Sequence, residues 1–334
     1  MVTFRFYLVS IVAFFLALAV GVVLGSVLDG GISDSLKDRL VRVEGNLNET
    51  VASIDDKNTE IEDLQQYVDA SAPFAVEGQL PDTSAIVVLE PGVDLGPVQD
   101  LVVRLRQSGA SVAGILALDP RWELKDKADR ELFSQIAQKT AASVPELQRS
   151  VWNSILTPSP SATTTTSVVP TDSTGLSPST TLFPSQTAGV LTSDVLKKLQ
   201  EAGFVKLLSV DGLDGSGGQR LVLICVTGTN STLAESGSAA GEIAKDAAAL
   251  KIPTVLAEVF VPAPPEQQNP PQRGDILRRA LTGSESPLST VNDLDLVAGR
   301  VAAVLASADL QQGITGNFGY GPKVDGVLPQ WLGP

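Results

Sequence analysis

The chain opens on an uncharged apolar run, "FYLVSIVAFFLALAVGVVLGSVL", between Arg5 and Asp29. At about 1.5 Å per residue it makes roughly 35 Å of helix, enough to cross a hydrocarbon core of about 30 Å. The pattern predicts a transmembrane anchor over residues 1–28. A cleaved signal peptide is the rival, because Ala17 and Ala19 offer an A-x-A pattern, but apolar sequence continues to Leu28, where a mature chain would turn polar. Ala13, Ala17, Gly21 and Gly25 recur every four residues, and "GVVLG" is a small-xxx-small match that lets two backbones approach. Gly21 and Gly25 are candidate self-association positions, although small residues are common in such helices anyway.

Leu40, Leu47, Ile54, Ile61 and Val68 then repeat every seven residues. Placed at a, they put Leu36, Val43, Thr50, Lys57 and Leu64 at d, the pattern of a coiled coil with a polar middle. Residues 29–72 are expected to form this stalk, about 50 Å long for its heptad part. It implies a homodimer or a coiled coil with another protein; the alternative is an amphipathic helix lying on its own domain. Pro73 is expected to end the helix.

From residue 82 onward, continuous apolar runs alternate with helical patterns. "AIVVLE" reads as a buried strand, "LGPVQDLVVRLRQSGA" as a helix closed near Gly109, and "SVAGILALDP" as a second strand. Helices are expected over 121–139, 145–156, 193–202, 233–250 and 294–308, and strands at "RLVLICVTG", "PTVLAEVFV" and "LSTV". Such alternation signals a mainly parallel sheet covered on both faces. The fold class is therefore α/β: a transmembrane helix and a coiled-coil helix, then a helix-covered α/β domain over 82–334. Within it, residues 157–187 are rich in Thr, Ser and Pro and nearly uncharged, which predicts a disordered insertion. "PAPPEQQNPPQ", residues 262–272, reads as a smaller surface loop.

Charge narrows the partners. The 24 basic residues stand against 38 acidic ones, a formal net charge of −14, which excludes nucleic acid as a main partner. Lys37, Arg39 and Arg42 follow the apolar run, whereas Arg5 alone precedes it, so a positive-residue count favours the C-terminal side inside. The very short N-terminal tail, the absence of histidine and the Thr/Ser/Pro tract favour the main domain outside the cytoplasm, and that orientation is preferred.

Candidate chemistry is sparse. Without histidine, Ser-His-Asp and Cys-His catalysis are impossible. One cysteine, Cys225, sits mid-strand and reads as a buried structural thiol. With Met1 the sole methionine, soft metal donors are nearly absent. No metal ligand set and no cofactor can be assigned from the residues, and an enzyme is not expected. Loops beyond the carboxyl ends of parallel strands are the default ligand positions. There "TGTNST" (227–232) offers hydroxyls and N–H groups for an anion, or ordinary helix capping by Asn230, Ser231 or Thr232. "GLDGSGGQ" (212–219) lacks phosphate-loop spacing and reads as a turn. Asp293, Asp295 and Glu285 offer oxygens for a hard cation, but capping near Leu294 explains Asn292 and Asp293 more simply.

The stretch "STVNDLDLVAGRVAAVLASADLQQGITGNFGYGP", taken with "FFLALAVGVVLGS", the heptads and "ALDPRWEL", resembles the actinobacterial copper transporter family called MctB-like. The resemblance rests most on Ser289, Thr290, Val291, Gly299, Gly316, Gly319 and Gly321. It implies an envelope protein of copper homeostasis, described for the family as a copper-export or channel-forming outer-membrane component; copper enters through the resemblance alone. By itself, one transmembrane helix encloses no pore, and no series of alternating strands suggests an outer-membrane barrel. A second reading is a structural or regulatory envelope protein of cell division or cell-wall assembly, acting through its coiled coil. "GNFGYG" leads to Pro322 and not to a helix, so it reads as a tight turn with glycines at positive φ and with Phe318 and Tyr320 packed on the domain.

Overall fold

Helix α1 spans Phe4–Val76. The computed structural model describes residues 4–140, 142–156, 193–208, 220–233, 238–264, 266–267, 269–282 and 287–330, so the expected insertion at 157–187 and the turn at 212–219 lie outside the described residues. Two compact units divide the chain, Met1–Gln66 and Tyr67–Pro334. In the first, the side chains of Tyr7–Leu24 are all exposed within the chain, and this helix is long and apolar enough to cross a membrane.

In the second unit the elements after α1 are β1 (Thr83–Leu89), α2 (Leu95–Gln107), β2 (Ser111–Leu118), α3 (Lys127–Ala137) and α4 (Val144–Leu156). There follow α5 (Asp194–Glu201), β3 (Val205–Leu208), β4 (Arg220–Gly228), α6 (Ala239–Ala249), β5 (Thr254–Val259), α7 (Asp275–Ala280), β6 (Ser289–Val291), α8 (Val297–Gln311) and β7 (Asn317–Phe318). They build one seven-stranded sheet in the order β3-β2-β1-β4-β5-β6-β7. Only the β2–β3 pair is antiparallel.

The period-two geometry of a strand sends alternate side chains to opposite faces, and here both faces are cores. Ile86, Val88, Leu223, Cys225 and Leu256 join Trp122, Phe133, Trp152 and Phe204 under α3 to α7. Ala85, Val87, Leu89, Ile224, Val255 and Val291 join residues of α2, α8 and the end of α1. This explains why β1, β4 and β5 are uninterrupted apolar runs.

Local signals fix several ends. Asp94 accepts the Gly96 N–H at the start of α2, and Gly109 at φ 88° turns the chain into β2. In "ALDPRWEL", Asp119 caps a 3-10 turn over Pro120–Glu123 that inserts Trp122 against Phe133 and Trp152. Arg121 then pairs with Asp129 and lies over the Phe204 ring. The helix expected over 121–139 is thus a 3-10 turn and a separate α3.

The structure corrects other expectations. Pro73 does not end α1: the helix runs on to Val76, because Ala72 and Val76 are buried in the head core and that packing offsets the amide bond that proline removes. The helix expected from Leu294 begins at Val297, and no strand or helix had been expected at β3 or α7.

Because Ala72, Val76 and Leu80 are buried, with Arg104 paired to Asp69, the α/β head begins before residue 82. A fragment starting at Tyr67 should unfold cooperatively, and one starting at Asp82 should be less stable by about 3 kcal/mol or more. Urea midpoints followed by circular dichroism test this; equal midpoints would show that the end of α1 contributes nothing to the head.

Candidate functional site

Strand order places a reversal between β1 and β4: connections from β1 lead one way to β2 and β3, and those from β4 lead the other way to β5, β6 and β7. In such sheets the crevice beyond the carboxyl ends at the reversal is the usual ligand position. Here that place is filled by Glu90, the first residue after β1 and only 1% exposed. Its Oε2 accepts from the hydroxyls of Thr227 and Ser231, both at 2.6 Å. Its Oε1 accepts from the Ser238 hydroxyl and the Ala240 N–H, both at 2.8 Å. Gly92, at φ 86°, brings the same loop so close to β4's loop that a Cβ would lie 2.7 Å from the Asn230 carbonyl oxygen.

A second polar cluster lies at the carboxyl ends of β5 and β6. Glu258 and Asp293 are fully buried, and neither carboxylate has a hydrogen-bond partner. Burial pushes both up to about 7. The Arg273 guanidinium favours their charged forms, but its hydrogen bonds go to Asp295, at 2.6 Å to each oxygen, and to the Asn292 carbonyl, and Asp295 in turn opposes the charge on Asp293. The Gly274 and Leu277 amides also favour charge on Glu258 without reaching hydrogen-bond geometry. The Arg273 guanidinium is thus shared among Glu258, Asp293 and Asp295.

Most of the residues that carry the resemblance lie around this second cluster. Ser289 accepts the Gly316 N–H, and the Thr290 N–H reaches the Gly316 carbonyl. The Thr290 hydroxyl donates to the Asn317 side-chain oxygen. Val291, fully buried, anchors the strand from the other face. Asn292 clamps the following turn through its side chain, which accepts the Tyr320 N–H and donates to the Tyr320 carbonyl. Gly299 and Gly319 are glycine for lack of space: a Cβ on Gly299 would lie 2.0 Å from the Asp293 carbonyl oxygen, and one on Gly319 would lie 1.9 Å from Asn292 Oδ1. At Gly316 a Cβ would enter the Phe318 ring, whereas Gly321 has open space and only its φ of 111° to favour glycine.

"GNFGYG" is therefore not simply a tight turn. Asn317 and Phe318 form the edge strand β7, parallel to β6; Gly316 has no positive φ, and Tyr320 is exposed. Nor do Asn292 and Asp293 cap a helix, since α8 follows Leu296 without a side-chain cap. At "TGTNST" the cap of α6 is Ser238, and Ser231 serves Glu90. Glu285 lies outside the described residues. Among the described residues, no group of three or more His, Cys, Asp or Glu side chains could hold a metal ion. Cys225 is buried, and burial together with the nearby Glu90 charge pushes its thiol up.

In the N-terminal unit Leu40, Leu47, Ile54 and Ile61 are at least half exposed, and Gly21 has open space around it. Gly25 lies on the helix backbone, with its surroundings outside the described residues. Val68 differs from the other a positions: it is partly buried within the head unit. Sequence reasoning passed over Glu90, Glu258 and Arg273. A glutamate closing an apolar strand was the available signal for Glu90, and one inside an apolar strand for Glu258, whereas the pairing of Arg273 with Asp295 has no local sequence cue.

A family model described as "Copper transport outer membrane protein, MctB" matches residues 1–329. No curated protein matches the chain significantly.

Two predictions follow from the second cluster. Both carboxyls hold their protons more tightly folded than unfolded, so stability falls as pH rises from about 4 to about 7 and is flat above. Glu258→Gln or Asp293→Asn should each remove its own share of this loss, gaining roughly 3 kcal/mol over wild type at pH 8 and nothing near pH 4; unfolding midpoints across pH measure it, and a pH-independent difference would refute it. Gly319→Ala should cost about 3 kcal/mol or more, and Gly321→Ala about 1 kcal/mol. Thermal unfolding of the pair separates lack of space from backbone conformation alone.

Proposed function

Since the chain belongs to the copper transport outer membrane protein family MctB, which is not an enzyme family, we propose that it serves copper homeostasis at the cell envelope as a membrane-anchored protein. In this reading residues 1–28 are the anchor, 29–72 the stalk, and the α/β head lies outside the cytoplasm. The head positions partners and does not itself coordinate the metal.

The donor set carries this reading. Copper sites are built mainly from thiolate, thioether and imidazole. This sequence has no histidine, its one methionine is Met1, and its one thiol is buried in β4. A carrier or storage role through the head would need ligands that the chain lacks, whereas a scaffold needs only surfaces. The exposed a positions Leu40, Leu47, Ile54 and Ile61 supply one such surface, suited to a second copy or to another helix.

A structural role in division or wall assembly is the second reading, and the same donor-poor head favours it. The two readings separate in cells. Deletion should raise cellular copper and leave septation normal if copper homeostasis is the role, while misdivided cells with normal copper would favour the wall. For the protein itself, Cu(I) titration of the full chain in detergent should show no binding tighter than micromolar; stoichiometric tight binding would overturn the scaffold proposal. Cysteines placed at Leu40, Leu47 and Ile54 should cross-link, and cysteines at Gly45 and Ala52 on the opposite face should not. The reverse pattern would rule out the heptad seam.

A further inference from the structure

Glu90 raises a question that the family assignment does not touch. A buried carboxylate needs donors, and two or three would satisfy it; Glu90 has four, drawn from three places in the sequence. Thr227 comes from the carboxyl end of β4, Ser231 from the loop after it, and Ser238 and Ala240 from the start of α6. The donors are themselves held in place. The Ser238 hydroxyl accepts the Gly241 N–H and the Ser231 hydroxyl accepts the Leu233 N–H, so each has its proton left for the carboxylate. Ser238 keeps φ 46° to do so. Around them the loops are closed by the Thr232 N–H to the Pro91 carbonyl and by the contact at Gly92.

These groups stand beyond the carboxyl ends of β1 and β4, at the reversal of strand order, where an open parallel sheet takes its ligand. Three hydroxyls and one helix-start N–H, with no cation bonded to Glu90 among the described residues, make a preorganised hole for a small oxyanion. We propose that this is an intact carboxylate-binding site whose resident ligand is the chain's own Glu90, so that the head is closed from within to the small molecules that its fold class usually binds. Deleting the side chain beyond Cβ removes a group of the size of acetate. The vacated site should therefore take up free acetate.

The test uses the full chain in detergent, with sodium acetate compared against sodium chloride at equal ionic strength. Glu90→Ala should melt well below wild type, and acetate should raise its Tm by about 3–5 °C at ten times its dissociation constant, leaving wild type unmoved. Adding Thr227→Val to Glu90→Ala should reduce that response severalfold. Glu90→Gln, which fills the hole with a neutral group, should be destabilised yet insensitive to acetate. If Glu90→Ala does not fold in chloride, its refolding yield in acetate is the readout, and the same rescue is expected. An equal acetate response in wild type, or no acetate-specific gain in Glu90→Ala by either readout, would overturn the proposal.

Discussion

The contact between Glu90 and the start of α6 is the constraint on which the head's architecture turns. A carboxylate buried at the carboxyl edge of a sheet covered on both faces has lost its water, so it must find its partners within the chain. Glu90 is the solution at the centre of the sheet. It joins the loop after β1 to the loop after β4 at the one point where the two halves of the sheet diverge. Both cores depend on that junction, since β1 and β4 contribute alternate side chains to each.

Toward β6 the solution is less complete. Glu258 and Asp293 are buried without hydrogen bonds, and Arg273 already holds Asp295. Such groups cost stability when charged, and the surrounding structure tolerates them because β6 is clamped from outside. Asn292 ties the Tyr320 backbone down, Asp325 accepts the Asn317 N–H, and Gly319 donates to the Gly326 carbonyl. The residues on which the sequence resemblance rests therefore lie together in the fold. Ser289, Thr290, Val291, Gly299, Gly316 and Gly319 are the parts that let the C-terminal loop close over a polar cluster at near-contact distances.

Much of this was legible in the sequence because it follows from periodicity. The apolar runs marked β1, β2, β4 and β5, and β4 has the bounds that its nine-letter run suggests. The elements that were missed are short or irregular. β3 has four residues with Lys206 among them and pairs antiparallel at the edge, and α7 has only six residues. β7 hides among glycines, since two residues carry no period. Capping was misplaced for a related reason: several Asn, Ser and Thr residues near a helix start compete, and tertiary contacts choose among them. Ser231 goes to Glu90 and Asn292 to Tyr320, leaving Ser238 to cap α6.

By itself the sequence determined the N-terminal apolar helix, the heptads, the α/β class and the scarcity of soft metal donors, because each depends on residue type and local spacing. Only the tertiary structure decided that Pro73 lies within a helix, that Glu90 fills the ligand crevice, and that Gly299 and Gly319 shelter Asn292 and Asp293. These outcomes join residues distant in sequence, and burial sets their energies: the same carboxylate costs little in water and several kcal/mol inside a core, roughly speaking.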